Sequence, residues 1–166
     1  MQNIFGTDGI RARMGDYPLT PEGLHTLGIT LGQWAHAQHK FRIIIATDTR
    51  DSATFCKYTL ISGLTQSAVT IDDAGILPTP VLHYLVQQYK YDYGMVITAS
   101  HNDASYNGIK IVTKEGKLSS SEQKTLETYS PSGTIGCDYT QLGQATYSLD
   151  AFNLYNFIIK YINFPI

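Results

Sequence analysis

Along the chain, apolar residues follow two spacings, one of three to four residues and one continuous. Leu24, Leu27, Leu31 and Trp34 follow the first, and Thr20-Pro21 ahead of them has the form of an N-cap with proline at the first helical position. This spacing predicts a helix over about 20–38. Phe41 to Ala46 follows the second, with Ile43-Ile44-Ile45 set between polar residues as in a strand buried on both faces. The run ends in Asp48-Thr49-Arg50-Asp51-Ser52, which puts charged groups at the strand's carboxyl end. Ser52 is placed to cap a second helix reaching about Ser67, Val69 to Asp73 reads as another strand, and Gly75 to Pro78 as a turn. Thr79-Pro80 repeats the cap-plus-proline signal. The helix it opens would bury Val81, Leu82, Leu85, Val86 and Tyr89 on one face, and Tyr93 to Thr98 returns as a strand.

Strand, helix, strand, helix, strand is the order of an α/β fold and favours a right-handed doubly wound sheet. Ligands of open α/β sheets sit beyond the carboxyl ends of the strands, where Thr98 to Asn102 falls. After a loop at 101–107, Gly108 to Thr113 is a further strand, close enough in sequence to pair antiparallel with 93–98 and make the sheet mixed. Ser119 with Glu122 matches a capping box and opens a helix to about Tyr129. Ser130 to Thr146 is rich in Gly, Ser and Thr and reads as loop. Phe152, Tyr155, Ile158, Ile159 and Ile162 mark one apolar face of a last helix, which the chain leaves at Asn163-Phe164-Pro165-Ile166.

Composition narrows the partners. A chain of 166 residues, 43% hydrophobic and 16% charged, is expected to form one ordered domain. A net charge of -2 with scattered Lys and Arg offers no basic face, so nucleic acid is not expected. Cys56 and Cys137 are too few for a disulfide framework and lack the paired spacing of a zinc site, which fits a reducing cytoplasm. No apolar h-region opens the chain, and no run reaches the roughly 18 apolar residues that span a bilayer, so neither export nor a membrane is expected. His25, His36, His39 and His83 are spread over helical positions without a shared metal-ligand spacing, and read as surface or packing residues.

Four places could carry chemistry. Ser100-His101-Asn102 lies at a strand end, where side chains and backbone N–H groups meet a ligand. Its neighbouring serine and histidine diverge too much for a catalytic triad, and a polar turn that satisfies its own backbone is the alternative. Lys110 follows Asn107-Gly108, a tight-turn signal that would fold its strand back beside Ser100; a solvated strand lysine is the plainer reading. In Phe5-Gly6-Thr7-Asp8-Gly9-Ile10-Arg11 the glycines suggest a tight turn or a close approach to a ligand. Arg11 could grip a phosphate there or simply pair with Asp8. Asp48 and Arg50 read as braces between neighbouring loops.

In this order the segments resemble the α-D-phosphohexomutase family. Asp48-Thr49-Arg50-Asp51-Ser52 is similar to the family's D-T-R-x-S, and Leu77-Pro78-Thr79-Pro80 to the P-T-P turn that follows. Thr98-Ala99-Ser100-His101-Asn102 with Asn107-Gly108-Ile109-Lys110 is similar to T-A-S-H-N-P…N-G-x-K. Phe5 to Arg11 is most similar to the opening of the phosphoglucosamine mutases within that family. The resemblance implies a three-layer α/β/α domain with a mostly parallel, mixed sheet. It implies that Ser100 carries a phosphoryl group, that His101 and Lys110 assist proton transfer, and that Arg11 joins the active-site rim. Thr98, Asn102, Asn107 and Gly108 would form the loop that meets substrate and phosphate, braced by Asp8, Asp48 and Arg50.

Mg²⁺ is the implied cofactor, reached in this chain only through the phosphate on Ser100. The implied substrate is a hexose phosphate. The 5–11 segment leans toward conversion of glucosamine 6-phosphate to glucosamine 1-phosphate, with mannose and glucose phosphates as alternatives. Asp103 departs from the signature's proline, Ala12 stands where glycine is usual, and Ala46-Thr47 precedes Asp48 where the family generally begins with glycine. Family members have four domains, and the sequence holds no D-x-D-x-D-R metal loop. Residues 1–148 are therefore expected to be the first domain, and 149–166 a helix and the start of the linker to a second. The second to fourth domains would be missing, and the chain alone would turn over little substrate. A phosphosugar-binding or interaction domain that keeps the fold without the reaction is the alternative.

Overall fold

A computed structural model describes residues 4–129 and 139–148, and beyond them Asn153, Tyr155 and Asn156. Its elements are β1 (Phe5–Gly6), β2 (Gly9–Arg13), α1 (Pro21–Ala37), β3 (Arg42–Thr47), α2 (Ala53–Leu64), β4 (Thr70–Ile76), α3 (Thr79–Gln88), β5 (Tyr93–Ile97), β6 (Tyr106–Thr113), β7 (Gly116–Lys117), α4 (Ser120–Thr128) and β8 (Gln144–Tyr147). The strands form one sheet in the order β1-β2-β6-β5-β3-β4-β8, with β7 paired to β6. β5, β3, β4 and β8 run parallel to one another, while β6, β2 and β1 join through antiparallel ladders. The sheet is mixed, as the sequence predicts.

The isoleucines of β3 explain the layers. Ile43 and Ile45 face a core shared with Leu24 of α1, Leu60 of α2 and Leu126 of α4, whereas Ile44 and Ala46 face Leu82, Leu85 and Val86 of α3. All four β3 residues are fully buried. Each isoleucine contributes about 1.5–3 kcal/mol by burial, which a sheet covered on one face only would forfeit for Ile44. Helices on both faces give the three-layer α/β/α arrangement. Where α1 crosses α2, Gly28 meets Gly63 with no room for a side chain. A Cβ on Gly63 would strike the His25 carbonyl and the backbone of Ile29, and one on Gly28 would strike the Leu60 carbonyl.

Local signals set the helix starts. Thr20 Oγ1 accepts the Gly23 N–H at 3.0 Å, with Pro21 as the first helical residue. Ser119 and Glu122 form the expected capping box, the Glu122 carboxylate accepting the Ser119 N–H at 2.8 Å. Ser52 stands at the N-cap of α2, but its hydroxyl makes no capping bond and instead accepts from Asn107 at 2.8 Å. Pro78 rather than Thr79 is the N-cap of α3, and Tyr89 lies beyond the helix with nearly half its surface exposed.

Several strand assignments differ from the sequence reading. β1, β2 and β7 are strands that it does not contain, the 5–11 segment reading there as a tight turn or a close approach to a ligand. Asn107-Gly108 is not a turn but lies inside β6, paired to Ala12 and Arg11 of β2. β4 continues past Asp73 to Ile76, carried over a bulge by its pairing with Thr47 of β3. Gln144–Tyr147, placed in a loop by its composition, is the strand β8 and pairs with β4. Of the predicted last helix, Asn153, Tyr155 and Asn156 are helical, and Tyr155 packs against the α3-side core. The rest of that reading, and Cys137, fall outside the described residues. Among the described residues, no helix is long and apolar enough to cross a membrane.

Candidate functional site

β3 and β5 lie side by side, so their carboxyl ends bring Asp48–Ser52 and Thr98–Asn102 together. The Asp48 N–H donates to the Ile97 carbonyl at 3.0 Å, joining the two segments where the strands stop. Buried Thr98 anchors the second segment. Its N–H donates to the Gly108 carbonyl at 2.9 Å, and its hydroxyl accepts the Ser100 N–H at 3.0 Å. The Asn102 N–H closes a turn onto the Ala99 carbonyl at 3.1 Å. Within that turn Ser100 is left-handed, with φ 57°. For a residue with a Cβ this costs on the order of 1–3 kcal/mol, so the contacts around it must hold it there. Ser100 and His101 are exposed.

Arg50 supplies those contacts. Its Nε donates to Asp48 Oδ2 at 3.1 Å. One terminal nitrogen donates to the carbonyls of Asp103 and Tyr106 at 2.7 and 3.0 Å, the other to those of Ser100 and Asn102 at 3.1 and 2.7 Å. A guanidinium has five N–H donors, and all five are used. The carbonyl oxygens of a tight loop would otherwise repel one another. The cation collects them, and the Asp48 carboxylate, which also accepts the Arg50 N–H at 3.0 Å, fixes the cation. Asp103 closes its own turn, one carboxylate oxygen accepting the Ser105 N–H at 2.9 Å. That hydrogen bond holds its carboxyl below the usual value of 3.8. An exposed side chain thus closes the turn where the signature's proline would stiffen it.

β6 brings the remaining candidates in. Asn107 is fully buried and donates to Ser52, tying β6 to the start of α2. A Cβ on Gly108 would run into the Ile10 and Thr98 carbonyls, so glycine is required by close packing of three strands. Arg11, opposite Gly108, donates to Asn102 Oδ1 at 2.8 Å. Ile10 and Ile109 point into the α1-side core, so by alternation Arg11 and Lys110 project from the opposite face as diagonal neighbours. Lys110 binds Asp8 in the β1–β2 turn at 2.9 Å, and this hydrogen bond lowers the Asp8 pKa below 3.8. Asp8 therefore pairs with Lys110 and not with Arg11. Lys117 secures the same turn through the Thr7 carbonyl at 3.0 Å.

Thr98, Ser100, Asn102, Asn107, Gly108, Arg11, Asp48 and Arg50 thus belong to one connected network, with Lys110 and Asp8 beside it. His101 is adjacent only through the chain. Lys57 and Asp73 escaped the sequence reading. They form a buried ion pair 2.7 Å apart, each side chain 8% exposed, beside the crevice lined by Asp48, Arg50 and Gly75. Sixteen residues separate them on a helix and a strand, and no local spacing marks the pair. Among the described residues, no group of three or more His, Cys, Asp or Glu side chains could hold a metal ion. These residues do not by themselves fit a Mg²⁺ site.

Residues 2–134 match the family model of the phosphoglucomutase/phosphomannomutase alpha/beta/alpha domain I. Among curated proteins, the phosphoglucosamine mutase of Deinococcus deserti is 37% identical over 163 residues, 96% of this chain and 37% of the relative. That of Klebsiella pneumoniae is 37% identical over 155 residues, 93% of this chain and 35% of the relative. The chain thus spans little more than a third of the length of these relatives. A phosphoglucomutase/phosphomannomutase family protein from Burkholderia thailandensis, 24% identical, shares the fold with a TM-score of 0.76 over 98% of this chain and 36% of its own. With the match covering most of its length, the chain belongs to the phosphoglucomutase/phosphomannomutase family, as its α/β/α domain I.

Proposed function

We propose that this domain supplies the phosphoryl-carrying serine, Ser100, of a phosphohexomutase that interconverts glucosamine 6-phosphate and glucosamine 1-phosphate. The observation that carries the reading is Ser100 itself, exposed at a strand end and held left-handed within a network that contains Arg11 and Arg50. A strained backbone kept in place by so many contacts is characteristic of functional loops. The phosphoglucosamine mutase relatives support the choice of sugar.

In the proposed reaction a hydroxyl oxygen of the hexose phosphate attacks phosphorus, a new P–O bond forms, and the bond from phosphorus to Ser100 Oγ breaks. The hydroxyl proton leaves, Oγ regains one, and the resemblance assigns their carriage to His101 and Lys110. The bisphosphate then returns its other phosphoryl group to Oγ by the same step in reverse, so the net change is an isomerisation. Arg11, anchored by Asn102, and Lys110, oriented by Asp8, would offset the charge of the transferring group. Among the described residues, a phosphoryl group on Ser100 is what a Mg²⁺ ion would meet, and the charge neutralisation such an ion would supply is not built from this chain's own side chains.

The test is a chimaera in which residues 1–148 replace domain I of the Klebsiella pneumoniae relative, assayed for conversion of glucosamine 6-phosphate with phosphate mapped by mass spectrometry. Activity with phosphate on Ser100 is expected, and Ser100→Ala should remove about a thousandfold or more. A folded chimaera that is inactive, or one indifferent to Ser100→Ala, sinks the reading. It would favour a domain that keeps the fold without the reaction, to which Asp103 in place of the signature's proline lends support.

A further inference from the structure

Arg50 has no donor left for a substrate phosphate, yet it grips the loop on both sides of Asn102. A trans peptide is planar, so the C=O of one residue and the N–H of the next point in opposite directions. Arg50 draws the carbonyls of Ser100, Asn102 and Asp103 to one side. The N–H groups of His101, Asp103 and Ala104 are thereby turned to the other. Their neighbours are occupied: Ser100 donates to Thr98, Asn102 to Ala99, Ser105 to the Asp103 carboxylate and Tyr106 to the Asp103 carbonyl. The three outward N–H groups have no acceptor among the described residues, and His101, Asp103 and Ala104 are all exposed.

Successive N–H groups turned to one side of a loop make an anion-binding concavity. We propose that Arg50 is a positioning residue that orients the N–H groups of His101, Asp103 and Ala104 as a donor set for the oxygens of a phosphoryl group on Ser100. The donor set exists only while the carbonyls stay gathered on the guanidinium. A lysine keeps the charge, but with three donors and no planar fork it cannot hold five acceptors in these directions. The carboxylate of Asp103, turned onto Ser105, is kept from competing for the same N–H groups. This rests on the reading of Ser100 as phosphoryl carrier, but it can be tested without any turnover.

Phosphoserine is installed genetically at position 100 of the 166-residue chain, and amide resonances and hydrogen exchange are compared with the unmodified chain, each with Arg50 intact and as R50K. With Arg50, phosphorylation should move the His101, Asp103 and Ala104 amide protons downfield and slow their exchange about tenfold or more, as bonding to an anionic oxygen does. In R50K the response should vanish at these three amides, with signals outside 98–108 unchanged. An equal response in R50K overturns the proposal. So do unmoved amides in the phosphorylated Arg50 chain, a comparison that decides the matter even where R50K fails to fold. A chain whose amides respond, paired with an inactive chimaera, would remove the mutase reading and leave this inference standing.

Discussion

Lys57 and Asp73 carry opposite charges into the interior beneath the crevice at the carboxyl ends of β3 and β4. The ammonium reaches both carboxylate oxygens, at 2.7 and 2.9 Å, and one of those oxygens also accepts the Gly75 N–H at 2.9 Å. Taking either partner away strands a charge in a poorly solvated place, whereas taking both away leaves only packing to repair. Lys57→Ala is expected to lower unfolding stability by about 3–5 kcal/mol, and the paired change Lys57→Met with Asp73→Leu by much less. Urea denaturation of the two variants checks this; equal losses would show that the pair acts through its volume alone. At the same scale Asn107 illustrates a signal that was present but misread. Asn-Gly is strong turn chemistry. Here, however, the asparagine is spent on Ser52 and the glycine on closeness to the Ile10 and Thr98 carbonyls, so the dipeptide serves the interior of a strand.

At the scale of elements, the α1–α2 crossing depends on two glycines. Gly63 sits against the backbone of Gly28 and Ile29, so an added methyl has no flexible side chain to displace and must push the helices apart. Gly63→Ala should therefore cost about 1–3 kcal/mol, although alanine is intrinsically the better helix former by up to about 1 kcal/mol. A urea midpoint that rises on this substitution would refute the crossing. The starts of α1 and α4 were legible because a cap is chemistry within four residues: Thr20 with Gly23, Ser119 with Glu122. β8 was not, because Gln144–Tyr147 is exposed throughout and has no apolar alternation to read. Its strand conformation comes from the free edge of β4 beside it.

For the whole molecule, the α1-side core is sealed by α1, α2 and the sheet, and Cys56 reports on that seal. It is fully buried, with Met14 Sδ 3.6 Å from its Sγ, and desolvation pushes its thiol pKa up to about 11. At pH 8 only about a thousandth of the thiol would then be thiolate, and that fraction has no access to solvent. Iodoacetamide at pH 8 should label Cys56 at least about a hundredfold more slowly in the native chain than in urea, with the site read by peptide mass spectrometry. Labelling at the rate of a free thiol would mean that this face of the domain is open. The site depends on the same organisation, since Ser100 is held by Arg50 from the end of β3, by Thr98 from the end of β5, and through Asn102 by Arg11 from β2.

The sequence by itself determined what local chemistry and periodicity can specify. The capped helices α1 and α4, the doubly buried isoleucine strand and the alternation of strands and helices from β3 to β6 followed from it, as did the motif-bearing segments and, by their resemblance, the family. Tertiary structure alone decided which of those residues meet. It turned Asn107-Gly108 into a strand, paired Asp8 with Lys110 in place of Arg11, sank Lys57 onto Asp73, and wrapped four loop carbonyls around Arg50. The physical reason is that a hydrogen bond or ion pair between distant residues leaves no period in the chain. Its partners become neighbours only once the burial of apolar faces has fixed the sheet order and register.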